Sequence, residues 1–344
     1  MTSGPPYSPP GPQNARRLPD RVSPTAPSGP LYHYTTPRGL LNILQGHELW
    51  ATEAAGLNDV AEVRQGWDYI ERWLDEQDPA DSVIDAMLHV ARSDAWTPYS
   101  HPLRSIKGIY VLSASERCDD ANQWRLYAGG GRGYAIELDP RVRLTTVLDH
   151  EPETPDVDPT DAFAASFADA VETVAVTPWL KVLYSSQEKD AALAQLVANA
   201  HEMRRCAAGE ATDGDDFDER IRETETDMLG HLAQLAQLMK SAGFSGESEY
   251  RMIVSDWADR HRNFRDTPHG VVRYARLTQN QSTPGSRRIA YKNTVRPYLT
   301  LPVRSVWLGP LLHTVNNRDT IEALLEEAGH ASCPVHDSRV PLGF

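Results

Sequence analysis

Residues 31–52 read LYHYTTPRGLLNILQGHELWAT. The run Leu31-Tyr32-His33-Tyr34-Thr35 is short, aromatic and β-favouring, which predicts a strand. Thr36-Pro37 then supplies an N-cap and a proline at the first helical position. Leu40, Leu41, Ile43 and Leu44 follow at helical spacing, and Gly46 closes the helix. Glu48-Leu49-Trp50-Ala51-Thr52 predicts a second strand. On the first strand His33 and Thr35 share one side and Tyr34 takes the other. A histidine beside a hydroxyl suits a ribose or a phosphate; the plainer use is a histidine satisfied within a sheet.

Downstream, residues 60–76 and 80–95 have the periodicity of amphipathic helices, with Val63, Trp67, Ile70 and Leu74 on one face. Gly108–Ser115, GIYVLSAS, predicts a strand with Ser113 and Ser115 on one side. A short helix over Asp119–Tyr127 carries Gln123, Trp124, Arg125 and Tyr127, and Gly129–Gly133 (GGGRG) ends it. Those glycines form no Walker motif, because no Lys-Ser/Thr follows. They form no dinucleotide fingerprint either, because a strand at Tyr134–Leu138 follows instead of a helix. Residues 141–160 are acidic and proline-bearing, and about 160–240 reads as helical and acidic. The β signals return in YRMIV, VVRYARL, RPYL and SVWLGP, before a last helix over Asn317–Ala328. Strands flanking a helical middle predict an α+β domain with a mixed or antiparallel sheet over 31–344, and 156–242 as an acidic helical insertion. Residues 1–30 hold nine prolines and read as a disordered tail.

Composition sets bounds. With 34 Lys and Arg against 48 Asp and Glu, the net charge is −14, which disfavours general phosphate-backbone binding. The three cysteines stand far apart, without a C-x-x-C pair, so neither a disulfide framework nor a cysteine-rich metal site is expected. No metal-spaced histidine pair and no G-x-S-x-G elbow occur. Without a spanning segment or signal peptide, the expected compartment is the cytoplasm, with no membrane partner.

The remaining chemical signal is Glu247-Ser248-Glu249-Tyr250-Arg251. On a strand, Glu247, Glu249 and Arg251 fall on one face. A solvated strand face is the commoner use of such alternation. The strand runs directly into apolar Met252-Ile253-Val254, however, and unpaired carboxylates buried there would be costly.

Four segments in order resemble a large bacterial family of uncharacterised domains: the Leu31–Thr52 opening, SERCDDANQWRLYAGGGRGYAIELD, KSAGFSGESEYRMIV and VWLGPLL. More distantly, the first-strand histidine, the Ser-x-Ser strand and the late Glu-x-Glu strand resemble the ADP-ribosyltransferase fold. The opening is similar to that of its nucleic-acid-directed members, the RNA 2'-phosphotransferases included. This resemblance implies NAD as a substrate and no metal. Glu249 would stabilise the oxocarbenium-like transition state and Glu247 would face the acceptor. His33 would hold the NAD ribose, with Thr35 and Ser113 supporting the pocket. Tyr34, Tyr110 and Tyr127 are candidates for the ring beside nicotinamide, Arg251 for a carboxylate or pyrophosphate, and Trp124 and Arg125 for outer contacts. The implied setting is a bacterial toxin or phage-defence enzyme with a protein or nucleic-acid acceptor and an inhibitor or antitoxin partner. Water as acceptor would make it an NAD glycohydrolase. The rival expectation is a non-catalytic nucleotide- or protein-binding module of the same fold. A Glu249 paired only with Arg251 favours the rival, and a Glu249 sharing a cleft with His33 favours the enzyme.

Overall fold

The computed structural model describes residues 26–56, 60–92, 108–148, 174–210, 230–256, 263–267, 270–279, 290–291, 300–312 and 315–341. Most of the proline-rich tail and the RPYL segment lie outside them. The opening forms as its chemistry dictates: β1 (Leu31–Thr35), α1 (Pro37–Gly46) and β2 (Leu49–Glu53). Thr36 caps α1 by accepting from the Gly39 N–H, and Leu40, Ile43 and Leu44 face inward. The residue that turns the chain out of α1 is His47, at φ 52°, and not Gly46, which stays helical.

Helices α2 (Val60–Asp75) and α3 (Ser82–Arg92) precede β3 (Ile109–Ser115) and α4 (Ala121–Tyr127). Then come β4 (Tyr134–Leu138), β5 (Leu144–Leu148), β6 (Ala175–Val176) and β7 (Leu180–Lys181). Helix α5 (Ser186–Glu210) and a helix α6 over 230–238 lead to β8 (Glu249–Ser255). The chain continues through β9 (Asn263–Thr267), β10 (Gly270–Gln279), β11 (Ala290–Tyr291), β12 (Val303–Leu308), α7 (Val315–Glu327) and β13 (Val335–Asp337). β5, β6, β7, β9, β11 and β13 are strands that the periodicity did not announce. The first three are too short, or too polar in context, to carry a readable alternation.

All strands join one mixed, mostly antiparallel sheet, so the chain is α+β; β11·β5 and β12·β13 are its parallel pairs among the described residues. The sheet forks. One edge of β3 is taken by β8 along its whole length. The opposite edge is shared: Ser115 pairs with Tyr32 of β1, while Tyr110 and Val111 pair with Glu53 and Thr52 of β2. From this fork one branch runs β2–β10–β5–β11 and the other β1–β4–β12–β13. Directly opposed residues of antiparallel strands project to the same face, so the registers sort the side chains.

One face carries Leu49, Leu112, Tyr250, Met252 and Leu277 and buries them under α1 and α7. The other face carries Ile109 and Ile253, packed against α2, α3 and α5. Farther along that second face, Tyr32, Tyr34 and Ala135 pack under Trp124 of α4. Gly133 and Gly309 allow the chain to close tightly beside α4: a Cβ on Gly133 would stand 2.2 Å from the Thr35 carbonyl oxygen.

Candidate functional site

Between the two apolar clusters of that second face lies a polar one. The β3·β8 register places Ser113 opposite Arg251 and Ser115 opposite Glu249. The Arg251 guanidinium grips Glu249 with two hydrogen bonds, Nε to Oε1 at 2.8 Å and Nη2 to Oε2 at 3.0 Å. Lys240, just after α6, sends Nζ to Glu247 Oε2 at 2.7 Å and lies 3.4 Å from Glu249 Oε2. The Tyr127 hydroxyl, at the end of α4, donates to Glu247 Oε1 at 3.2 Å. The Tyr184 hydroxyl accepts from the Glu249 N–H at 3.0 Å. Lys240, Glu247, Glu249 and Arg251 are all buried.

Two carboxylates facing two cations explain how this much charge stays out of water. Burial alone would raise the Glu249 pKa. Arg251, Lys240 and a hydrogen bond from Ser113 overcome it and hold the carboxyl at about 2. Glu249 is therefore an anion at neutral pH. The Tyr127 and Tyr184 phenols, pushed up by burial and by the nearby carboxylates, stay protonated.

His33 approaches the same strand from the fork. Its Nδ1 lies 2.9 Å from the Ser113 carbonyl oxygen, on the edge of β3 that β1 and β2 leave between them. Burial, aided by the positive charge of Arg265, lowers its pKa, so the ring is neutral at pH 7. The register puts Tyr32 on the face of Ser115 and Glu249, hence His33 on the opposite face. Ser113 is the bridge, with its hydroxyl toward Glu249 and its carbonyl toward His33.

The expected residues thus separate into groups. Glu247, Glu249, Arg251, Ser113 and Tyr127 come together. Glu247 does so from a 3-10 turn, Ala242–Glu247, and not from the strand; Ser248, at φ 45°, turns the chain into β8. Thr35 is buried beside Gly39 on the His33 side. Tyr34 has a structural position: its hydroxyl donates to the Arg117 carbonyl and accepts from the Asp120 N–H, and its ring meets Trp124 edge-on at 4.9 Å. Trp124 is wholly buried and donates to Asp119. Tyr110 is buried on the far face, which leaves Tyr127 as the candidate ring that meets the carboxylates. Arg125 is exposed on α4. Lys240 and Tyr184 were missed. Their one sequence signal is position: Lys240 closes the apolar run of α6, and Tyr184 closes the apolar run that follows β7.

Residues 123–252 match the model of a family described as a protein of unknown function (DUF2971). The DUF2971 segment carries Tyr127, Lys240, Glu247, Glu249 and Arg251, while His33 and Ser113 precede it. No curated protein and no solved structure matches the chain. Among the described residues no helix is long and apolar enough to cross a membrane, and no group of three His, Cys, Asp or Glu side chains is placed to hold a metal ion.

The shifted groups give the stability a sign with pH. Glu249 has a folded pKa below its ordinary value of 4.5, so its contribution is complete above that pH and is lost as the pH falls toward 2. His33, also depressed, adds destabilisation from its ordinary 6.5 downward. Urea titrations are expected to show unfolding free energy falling from pH 7 to pH 3, with roughly 3 kcal/mol from Glu249. A Glu249→Gln variant should lose that acid limb and keep the rest.

Proposed function

We propose that the chain is an NAD-cleaving enzyme of the ADP-ribosyltransferase-like type, acting through Glu249. The observation that carries the proposal is a buried, ionised carboxylate joined through one serine to a neutral histidine at a fork in the sheet. Breaking the nicotinamide–ribose bond is glycoside chemistry with an oxocarbenium-like transition state. A fixed anion beside the ribose stabilises that developing positive charge more than it stabilises bound NAD. Arg251 and Lys240 keep Glu249 ionised and oriented. His33, with Nδ1 engaged by Ser113, leaves Nε2 for a ribose hydroxyl. In this reading Glu247 and Tyr127 orient the acceptor nucleophile, and the Tyr127 ring serves as a platform for the cationic nicotinamide. No metal enters this scheme, and the acceptor is a protein or a nucleic acid, or water.

One observation favours a non-catalytic reading. Both oxygens of Glu249 are engaged by Arg251, the geometry of a structural ion pair, and His33 is on the other face. In that reading the cluster holds α4, α6 and β8 together in a nucleotide- or protein-binding module. Calorimetric titration of NAD separates the two. The enzyme reading expects binding by the wild type and by Glu249→Gln within about tenfold, because the carboxylate acts mainly in the transition state. Absence of NAD binding by the wild type contradicts it.

A further inference from the structure

The arginines of β8 and of the β2 branch are treated unequally. Arg276 pairs with Glu48 at 3.2 Å, Arg273 with Glu53 at 3.5 Å, and Arg251 with Glu249 at 2.8 Å. Arg265 of β9 has no such partner among the described residues: its Nη2 donates to the Thr52 hydroxyl, and its Nε is buried without an acceptor. The registers place Trp50, Thr52, Tyr274 and Arg265 on one face. Trp50 stacks on Tyr274 with ring centroids 4.5 Å apart, and its indole Nε1 is likewise buried without an acceptor. Two buried donors left unsatisfied on one face, each costing about 1–3 kcal/mol, are a cost that an acceptor-rich ligand removes.

We propose that Arg265 and Trp50 form an oxyanion site that takes the phosphate groups of a nucleotide at the fork between the sheet branches. Phosphate supplies what these donors lack, a planar guanidinium being matched to two of its oxygens and an indole N–H to a third. Arg265 is close enough to His33 to bear on its charge, and Arg38 of α1 meets Asp266 at 3.6 Å, which sets β9 beside the N-terminal end of α1. Naming the pyrophosphate of NAD as occupant rests on the NAD reading above; the donors themselves require only an oxyanion.

ADP, which has the pyrophosphate and no nicotinamide, is the probe, titrated calorimetrically into the full chain. Wild type is expected to bind ADP. Arg265→Ala should weaken it about tenfold or more, Arg265→Lys nearly as much because it loses the Nε donor, and Trp50→Phe by a few fold. Arg141→Ala, an exposed arginine on Asp139, should leave binding unchanged and so controls for net charge. Melting temperatures of all variants establish that they are folded. Equal ADP affinity in wild type and Arg265→Ala overturns the site, as does absence of ADP binding by a wild type that releases nicotinamide from NAD. ADP binding that depends on Arg265 in a protein that does not cleave NAD supports the oxyanion site and counts against the NAD reading alone.

Discussion

Lys240→Met is expected to lower the unfolding free energy by about 3–5 kcal/mol, the range for breaking a buried ion pair from one side. The ammonium is buried, 2.7 Å from one carboxylate and 3.4 Å from the other, with the Phe244 ring 4.8 Å away. Methionine fills most of the volume and supplies no charge. Glu247 and Glu249 then face each other with one cation fewer, in a site where water does not screen them. A loss of that size corresponds to a drop of about 4–7 °C in melting temperature for a chain of this length. The double variant Lys240→Met/Glu247→Gln restores the balance of charge and is expected to recover part of the loss, a coupling that a double-mutant cycle reads directly. A Lys240→Met effect within about 0.5 kcal/mol, the range of ordinary surface substitutions, would remove the network from the account.

Glu249→Gln is expected to cut nicotinamide release by about 10²–10³-fold, the scale on which a preorganised electrostatic group contributes to a transition state. The amide keeps the shape and one hydrogen bond from Arg251 but has no negative charge to set against an oxocarbenium ion. It also leaves Arg251 with a neutral partner, so the variant should melt earlier than the wild type. Rates are therefore compared well below both melting temperatures. A purely structural Glu249 predicts a lower melting temperature with an unchanged rate on the folded protein, which is the outcome that separates the two roles.

The legible parts of the fold were those set by neighbours in sequence. Thr36, Pro37 and the Leu40–Leu44 spacing fix α1 between two strands, and the apolar run Met252–Val254 fixes β8. What sequence could not carry is what distant segments decide together. β6 and β7 have two residues each and exist because β8 offers an edge. β5 lies in an acidic, proline-bearing stretch, yet pairs with β10. Alternation puts the whole Glu-x-Glu-x-Arg segment on one strand face; the left-handed Ser248 instead sets Glu247 in a turn, and Lys240 draws both carboxylates together. Tyr34 and Trp124 looked like candidates to touch a ligand because they flank motif residues, but the fork turns them into a small apolar cluster beneath α4. The relation of His33 to Glu249 depends on register across β1, β3 and β8, which no local pattern encodes.

The central claim is tested most directly by incubating the full chain with saturating NAD and following free nicotinamide, beside Glu249→Gln under the same conditions. The account predicts slow release by the wild type and its loss in the variant. No release by a wild type that also fails to bind NAD, or equal release by both proteins, would contradict it.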